Sequence, residues 1–416
     1  LSTLAVVREP VVTGIHVCEL EVSKPAPMPH IKALDGVRGL AFVMVYVQHF
    51  TGGNHIHVRA IEAFRGVGWT GVDLFFCLSG FLITGILYDT RSDPNYYRNF
   101  YGRRALRIFP LFYLCLLIIF LMTPLLHLQW HLYHLCYPLY CSNFLNALMP
   151  NVDTFSFQPW IDLGHFWSLA VEEQFYIVWP IAIFLCKTRR RIVALCVSLI
   201  GVSIGLRLLF VLLYLHAIPA NTVYASHWYG VTLGAMKTPF FYRTFLYRIT
   251  FFRLDALAMG GIVAMMMRDG ELQRWARRLR WASIGIVLLT SATIGTSFHL
   301  ETPWTAVLGY TLLAMLFAAV IVGAIGSTAL RGFFQTRFLM EIGKYSYAMY
   351  LLHQIARPAM PLLIHRIAPK VGSVGAAAVL CSAGWFVCLY GVARFSFRFF
   401  ESMFLRMKDH FAYAAR

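Results

Sequence analysis

Glu172 and Glu173 stand side by side in a stretch, Trp167 to Cys186, that otherwise reads as a membrane-spanning helix. A carboxylate at bilayer depth is costly, and it persists where it faces a protein interior or a wet cavity and serves a function. Other ionisable groups sit in comparable runs: His49, Asp73, Arg253, Asp255 and His353, with Arg38, Arg103, Arg104 and Arg107 nearer the helix ends. Histidine and glutamate together suit proton transfer near neutral pH, because a carboxylate raises imidazole basicity. Clustered guanidinium groups suit a phosphorylated ligand, which they grip bidentately. Each group also has a plainer use. Arg103, Arg104 and Arg107 serve equally as topology anchors, and Asp73, Arg253 and Asp255 as structural ion pairs. His127, His131 and His134 follow an i, i+4, i+7 spacing, which fits an amphipathic interfacial helix better than a metal site; no metal is expected.

The elements that must position these groups follow from composition. The chain has 416 residues, 59% hydrophobic and only 13% charged, where a soluble domain carries about 25% charged residues. The net charge of +17 resides in short loops between apolar runs, which argues for anionic lipid and against nucleic acid as the basic partner. Spans of roughly 20 apolar residues are predicted at 34–52, 70–88, 106–126, 165–186, 192–216, 247–267, 281–299, 303–325, 344–365 and 373–399. With ten spans, the basic loops fall on one side, and the positive-inside rule makes that side the cytoplasm, with both termini inside. The expected fold is all-α and polytopic, about ten transmembrane helices around a central polar cavity. Residues 1–31 read as a flexible cytoplasmic lead-in, 32–405 as the transmembrane domain and 406–416 as a short cytoplasmic tail. The chain starts at Leu1, as a trimmed one would. Cys136 and Cys141 are placed to pair if their loop is extracytoplasmic.

Direction assigns depth. Arg38 lies near the inner end of span one and His49 about 16 Å further out. Asp73, Cys77, Gly80 and Thr84 form one small polar stripe on span two, suited to close packing. On span four, Ser168, Glu172 and Tyr176 share a face, while Glu173 points about 100° away toward a neighbouring helix. Arg253 is a plausible counter-ion. The arginines therefore collect at the inner face, and the carboxylates with His49 and His353 occupy the middle and outer half.

Several segments, in order, resemble the integral-membrane acyltransferase family 3. Leu34-Asp35-Gly36-Val37-Arg38-Gly39-Leu40 followed by His49 is similar to its first-helix signature. Gly71 to Thr84, Arg103-Arg104-Ala105-Leu106-Arg107, His165 to Tyr176, Arg253-Leu254-Asp255 and Tyr345 to His353 match further motifs. Glu401-Ser402-Met403 departs from the Glu-Arg/Lys-Pro that the family often carries. The resemblance implies a plasma (inner) membrane enzyme that moves an acyl group, acetyl being favoured, from cytoplasmic acyl-CoA to a hydroxyl of a carbohydrate or glycoconjugate. Under it, Arg38, Arg104 and Arg107, helped by Arg103, hold the coenzyme A phosphates. His49 acts as general base, oriented by Glu172 or Asp73. Tyr176, Ser168 or His353 stabilises the oxyanion, and Glu173, Arg253 and Asp255 give support. The chain ends without the extracytoplasmic hydrolase-like domain of some members, so that partner function is expected to be absent or encoded separately. Two other readings stay open: a proton-coupled transporter, and an O-acyltransferase of a macrolide-like small molecule.

Overall fold

The computed structural model describes residues 30–50, 64, 66–148, 156–157, 161–217, 226–228, 231–233, 245–268, 303–355 and 357–413. The lead-in 1–29, the predicted seventh span at 281–299 and the basic residues 274–280 lie outside the described residues.

Ten helices carry the described architecture: α1 (Lys32–Phe50), α2 (Gly71–Thr90), α3 (Tyr96–Leu121), α4 (Phe166–Cys186) and α5 (Arg189–Ala217), then α6 (Leu254–Met267), α7 (Tyr310–Gly326), α8 (Arg337–Leu352), α9 (Met360–Val371) and α10 (Val374–Ser396). Among the described residues, strands are confined to two small antiparallel hairpins, Ser156–Phe157 with Ile161–Asp162 and Ser226–Trp228 with Val231–Leu233. Six helices are long and apolar enough to cross a bilayer, namely Gly66–Thr90, Tyr96–Leu121, Phe166–Cys186, Arg189–Tyr214, Thr305–Gly326 and Val374–Phe411. The chain is thus an integral membrane protein. Leu121 on α3 is 63% exposed and Leu185 on α4 66%, as lipid-facing side chains should be.

The interior is built on close helix crossings. α2 packs most extensively on α6, and α1 on α8. The stripe Asp73-Cys77-Gly80-Thr84 is the face that α2 turns to α6: a methyl built on Gly80 would overlap the Leu257 carbonyl, and one on Gly260 the Cys77 carbonyl. Glycine on both sides lets the two backbones touch, which replaces the hydrophobic driving force that lipid cannot supply. Beside this crossing lies a buried ionic chain. Arg253 pairs with Asp73, and Arg207 donates to Asp255 (2.8 Å) and to Thr311 (2.7 Å). Arg253 also lies over the rings of Tyr247 (4.5 Å) and Tyr310 (4.4 Å).

Two expectations change in detail. The third span begins ten residues early, at Tyr96, which carries Arg103, Arg104 and Arg107 inside the helix instead of at its mouth. The ninth predicted span is two helices. α8 ends at Leu352 with His353 as its C-cap, and α9 begins at Met360 after a 3₁₀ turn at Arg357–Ala359. Pro358 and Pro361 remove two helix donors there, so a continuous helix is disfavoured.

Candidate active site

Arg38 of α1, Ser79 of α2, Arg104 and Arg107 of α3, Ser168, Glu172, Glu173 and Tyr176 of α4, and Tyr347 and Tyr350 of α8 line one cavity of about 120 Å³. Five helices thus converge on it. The 3.6-residue repeat explains two of the alignments. Arg104 and Arg107 are three apart on α3 and share a face, as do Ser168, Glu172 and Tyr176 on α4.

The arginines and glutamates meet, although depth alone separates them. Arg104 stacks on Tyr176, its guanidinium carbon 3.8 Å from the ring centroid, and its charge faces both Glu172 and Glu173. Its Nε–H is buried without a protein partner. Arg38 donates to Asp35 at 3.0 Å. Arg107 feels the charges of Arg38, Arg104 and Glu401. Three guanidinium groups therefore line one cavity, faced by carboxylates from α1, from α4 and at Glu401. Glu173 reaches the cavity as well as Glu172, because a helix forming a cavity wall presents an arc wide enough for two positions 100° apart.

Arg103 goes elsewhere. It donates to the carbonyls of Lys408 and Phe411 (both 3.4 Å) and faces the Tyr413 ring at 5.4 Å. It thereby ties the C-terminal segment Met407–Phe411 across the start of α3. Asp73, Arg253 and Asp255 belong to the ionic chain at the α2–α6 crossing and do not line the cavity.

Hydroxyl bookkeeping narrows the donors. Ser168 donates to the His165 carbonyl (2.9 Å), so Tyr350 must give its own proton to Ser168. Tyr347 donates to the Ile108 carbonyl (2.7 Å). Ser79 and Tyr176 share a short hydrogen bond. Only one of their two protons can lie between them, which leaves the other free to turn to the cavity that Ser79, Glu172 and Tyr176 line. Tyr176 and Ser79 are thus the hydroxyl donors facing the cavity, while Ser168 and Tyr350 are committed to each other.

Behind Ser168 and Tyr350 stands a histidine cluster. His49 Nδ1 lies 2.9 Å from His353 Nε2, and His353 Nδ1 lies 2.6 Å from the Tyr350 carbonyl. His165 Nε2 lies 2.9 Å from the Leu351 carbonyl, with its ring 4.7 Å from that of His353. His353 and His165 are buried. Eleven residues from Arg38 to His49 are about three turns, or about 16 Å, so both leave α1 on the same face. The hydrogen-bond partner that the structure gives His49 is thus another imidazole, that of His353.

Some of this set was beyond sequence reasoning. Arg207 was readable as an arginine inside span five, but nothing in its neighbours identifies Asp255 as its partner. Ser79 and Tyr350 lie in the motif segments Gly71 to Thr84 and Tyr345 to His353, but nothing there singled them out. Among the described residues, no group of three His, Cys, Asp or Glu side chains is placed to hold a metal. His134 of the His127–His134 set turns inward and accepts the His131 backbone N–H at 2.9 Å.

A family model described as an acyltransferase domain matches residues 31–393. O-acetyltransferase OatA of Staphylococcus aureus (strain NCTC 8325 / PS 47) is 26% identical over 343 residues, 78% of this chain and 50% of that protein. OatA of strain MRSA252 matches at the same identity and over the same share of each chain. This chain therefore spans about half the length of the curated relatives it matches. No solved structure matches.

Proposed function

Because the chain belongs to that acyltransferase family, we propose that it is a membrane O-acyltransferase that moves an acyl group, acetyl being favoured, from cytoplasmic acyl-CoA to a hydroxyl of a carbohydrate or glycoconjugate. The observation that carries this reading is the convergence of Arg38, Arg104 and Arg107 on one cavity wall. Like charges so close repel, and a polyphosphate is the ligand that turns this repulsion into binding. The relatives bear the name O-acetyltransferase, which favours acetyl. Both termini are assigned to the cytoplasm of an inner membrane, on the distribution of basic loops alone.

In this reading the arginines hold the coenzyme A phosphates, and the thioester arm rises along α1 toward His49. His49 takes the acceptor's hydroxyl proton as the oxygen attacks the thioester carbonyl. Tyr176, stacked on Arg104, lies at the phosphate end of this path. Glu172 sets the donor direction of Ser79 and Tyr176, and Glu173 balances Arg104.

The test uses purified protein in nanodiscs. Wild type should hydrolyse or transfer from acetyl-CoA and should melt at a higher temperature with coenzyme A present. His49→Ala should abolish transfer and keep the coenzyme A thermal shift. A protein with neither activity nor shift behaves as a carrier would, and the reading fails.

A further inference from the structure

The donor count around the histidine cluster fixes a proton arrangement. A backbone carbonyl only accepts, so His353 Nδ1, 2.6 Å from the Tyr350 carbonyl, carries hydrogen. In the neutral ring, Nε2 then bears the lone pair, and at 2.9 Å it must accept from His49 Nδ1–H. That leaves the lone pair of His49 on Nε2. An isolated imidazole prefers its hydrogen on Nε2, so both rings are held in the less common tautomer. The anchor is the break at the end of α8. The last-turn carbonyls of a helix have no intrahelical donor, and here Tyr350 offers its own to His353 while Leu351 offers its own to His165. His353 is further fixed from α10, where Trp385 Nε1–H donates to its carbonyl at 3.1 Å.

We propose that His353 is the positioning residue for His49: it fixes His49 with its lone pair on Nε2 and shares the positive charge when that nitrogen is protonated. The transfer step rests on the acyltransferase reading above. The acceptor's O–H breaks and its proton goes to His49 Nε2 while the oxygen bonds the thioester carbonyl carbon. The carbon–sulfur bond then breaks, and sulfur takes that proton back from His49 Nε2. Between these events, His49 is doubly protonated and its Nδ1–H remains against His353 Nε2. The negative end of the α8 dipole lies at the far side of His353, where a cationic ring is favoured. The role resembles that of the carboxylate in a catalytic triad, with a neutral ring and a helix end in its place. His353 thus acts through His49 and gives no hydrogen to an oxyanion, since its only N–H is committed to Tyr350.

The experiment reads tautomers and rates separately. Histidine is labelled with ¹⁵N in the full chain in nanodiscs, and the ring signals are assigned by difference with H49N and H353Q. Wild type should place hydrogen on Nδ1 of both His49 and His353. His353→Leu should return His49 to the Nε2–H form and lower kcat by about 100-fold or more, with coenzyme A affinity unchanged. His353→Gln, whose amide oxygen stands where Nε2 stood, should recover much of the rate. An Nε2–H tautomer at His49 in wild type overturns the assignment, as does His353→Leu with kcat within about threefold of wild type. Should His353→Leu fail to fold, wild-type tautomers and the H353Q rate decide alone. A wild type with the Nδ1–H pair but no acyl transfer overturns the transfer step and the functional reading, and leaves the tautomer assignment standing.

Discussion

Replacing Arg104 with glutamine separates a ligand-binding guanidinium from a structural counter-ion. Arg104 is half-buried, stacks on Tyr176 and keeps an Nε–H with no protein partner. A charge-assisted hydrogen bond contributes about 1.5–3 kcal/mol net. At about 1.4 kcal/mol per decade, its loss raises the Kd for coenzyme A by roughly 10- to 100-fold. Partial exposure pulls toward the lower figure, because solvent screens the charge. Glu172 and Glu173 pull the other way, since without Arg104 they face the incoming phosphates uncompensated. Titration calorimetry should compare coenzyme A with pantetheine, which lacks the phosphates. Arg104→Gln should weaken the first strongly and the second little, and Arg104→Lys should fall between, keeping charge but losing the planar fork. Equal losses for both ligands would mean that the cavity had collapsed. An unchanged affinity for coenzyme A would reduce Arg104 to a partner for the glutamates, and the argument from guanidinium convergence would fail.

Three further outcomes test the scaffold. Gly80→Leu should cost at least about 1–3 kcal/mol by overpacking against Leu257, read as a lower melting temperature and poor insertion; a normal melt would mean that α2 and α6 do not touch there. Asp73→Leu or Arg253→Met alone should destabilise by about 3–5 kcal/mol, by leaving a buried charge unpaired, whereas the double variant should recover most of it. A stable single Asp73 variant without activity would instead return Asp73 to the chemistry. His134 lies in a turn outside the spans, and burial, helped by the His131 charge, lowers its pKa from 6.5 to about 4. Its folded form rejects the proton, so stability is complete above about 6.5 and falls as pH drops toward about 4. His134→Asn, which keeps the acceptor without titrating, should flatten melting temperature against pH across that window.

The spans were legible because lipid imposes a length and a polarity that short sequences cannot imitate. Of the ten predicted, six coincide with helices long and apolar enough to cross a bilayer, three with shorter or more polar helices, the ninth in two pieces, and the seventh lies outside the described residues. The α2 packing stripe was legible for the same reason, since small residues four apart have one geometric use in a membrane. Ion-pair partners were harder. Arg253 was readable as a counter-ion, but its match with Asp73, and that of Arg207 with Asp255, depends on which helices are neighbours, and a single chain does not encode that in periodicity. Hydroxyl roles were hidden more deeply, because Ser168 and Tyr176 share a helix face and differ only in the partners brought to them.

Depth misled for an instructive reason. Counting residues from the loops placed Arg104 at the inner surface and the glutamates in the outer half, yet one cavity holds all three. Starting α3 at Tyr96 moves Arg104 two turns into the helix, and Glu172 lies nearly two turns into α4 from the opposite end. Arginine and glutamate side chains then close the remaining distance. The convergence also changes what the glutamates do. Adjacent carboxylates, Glu173 buried and Glu172 half-buried, are tolerable because Arg104 faces both, and Arg104 is in turn held in place by the carboxylates and by Tyr176. An anionic donor must compete with Glu172 and Glu173 for that guanidinium. The acyl-CoA reading therefore predicts a donor held with moderate affinity and released after transfer, which the Arg104 titrations measure directly.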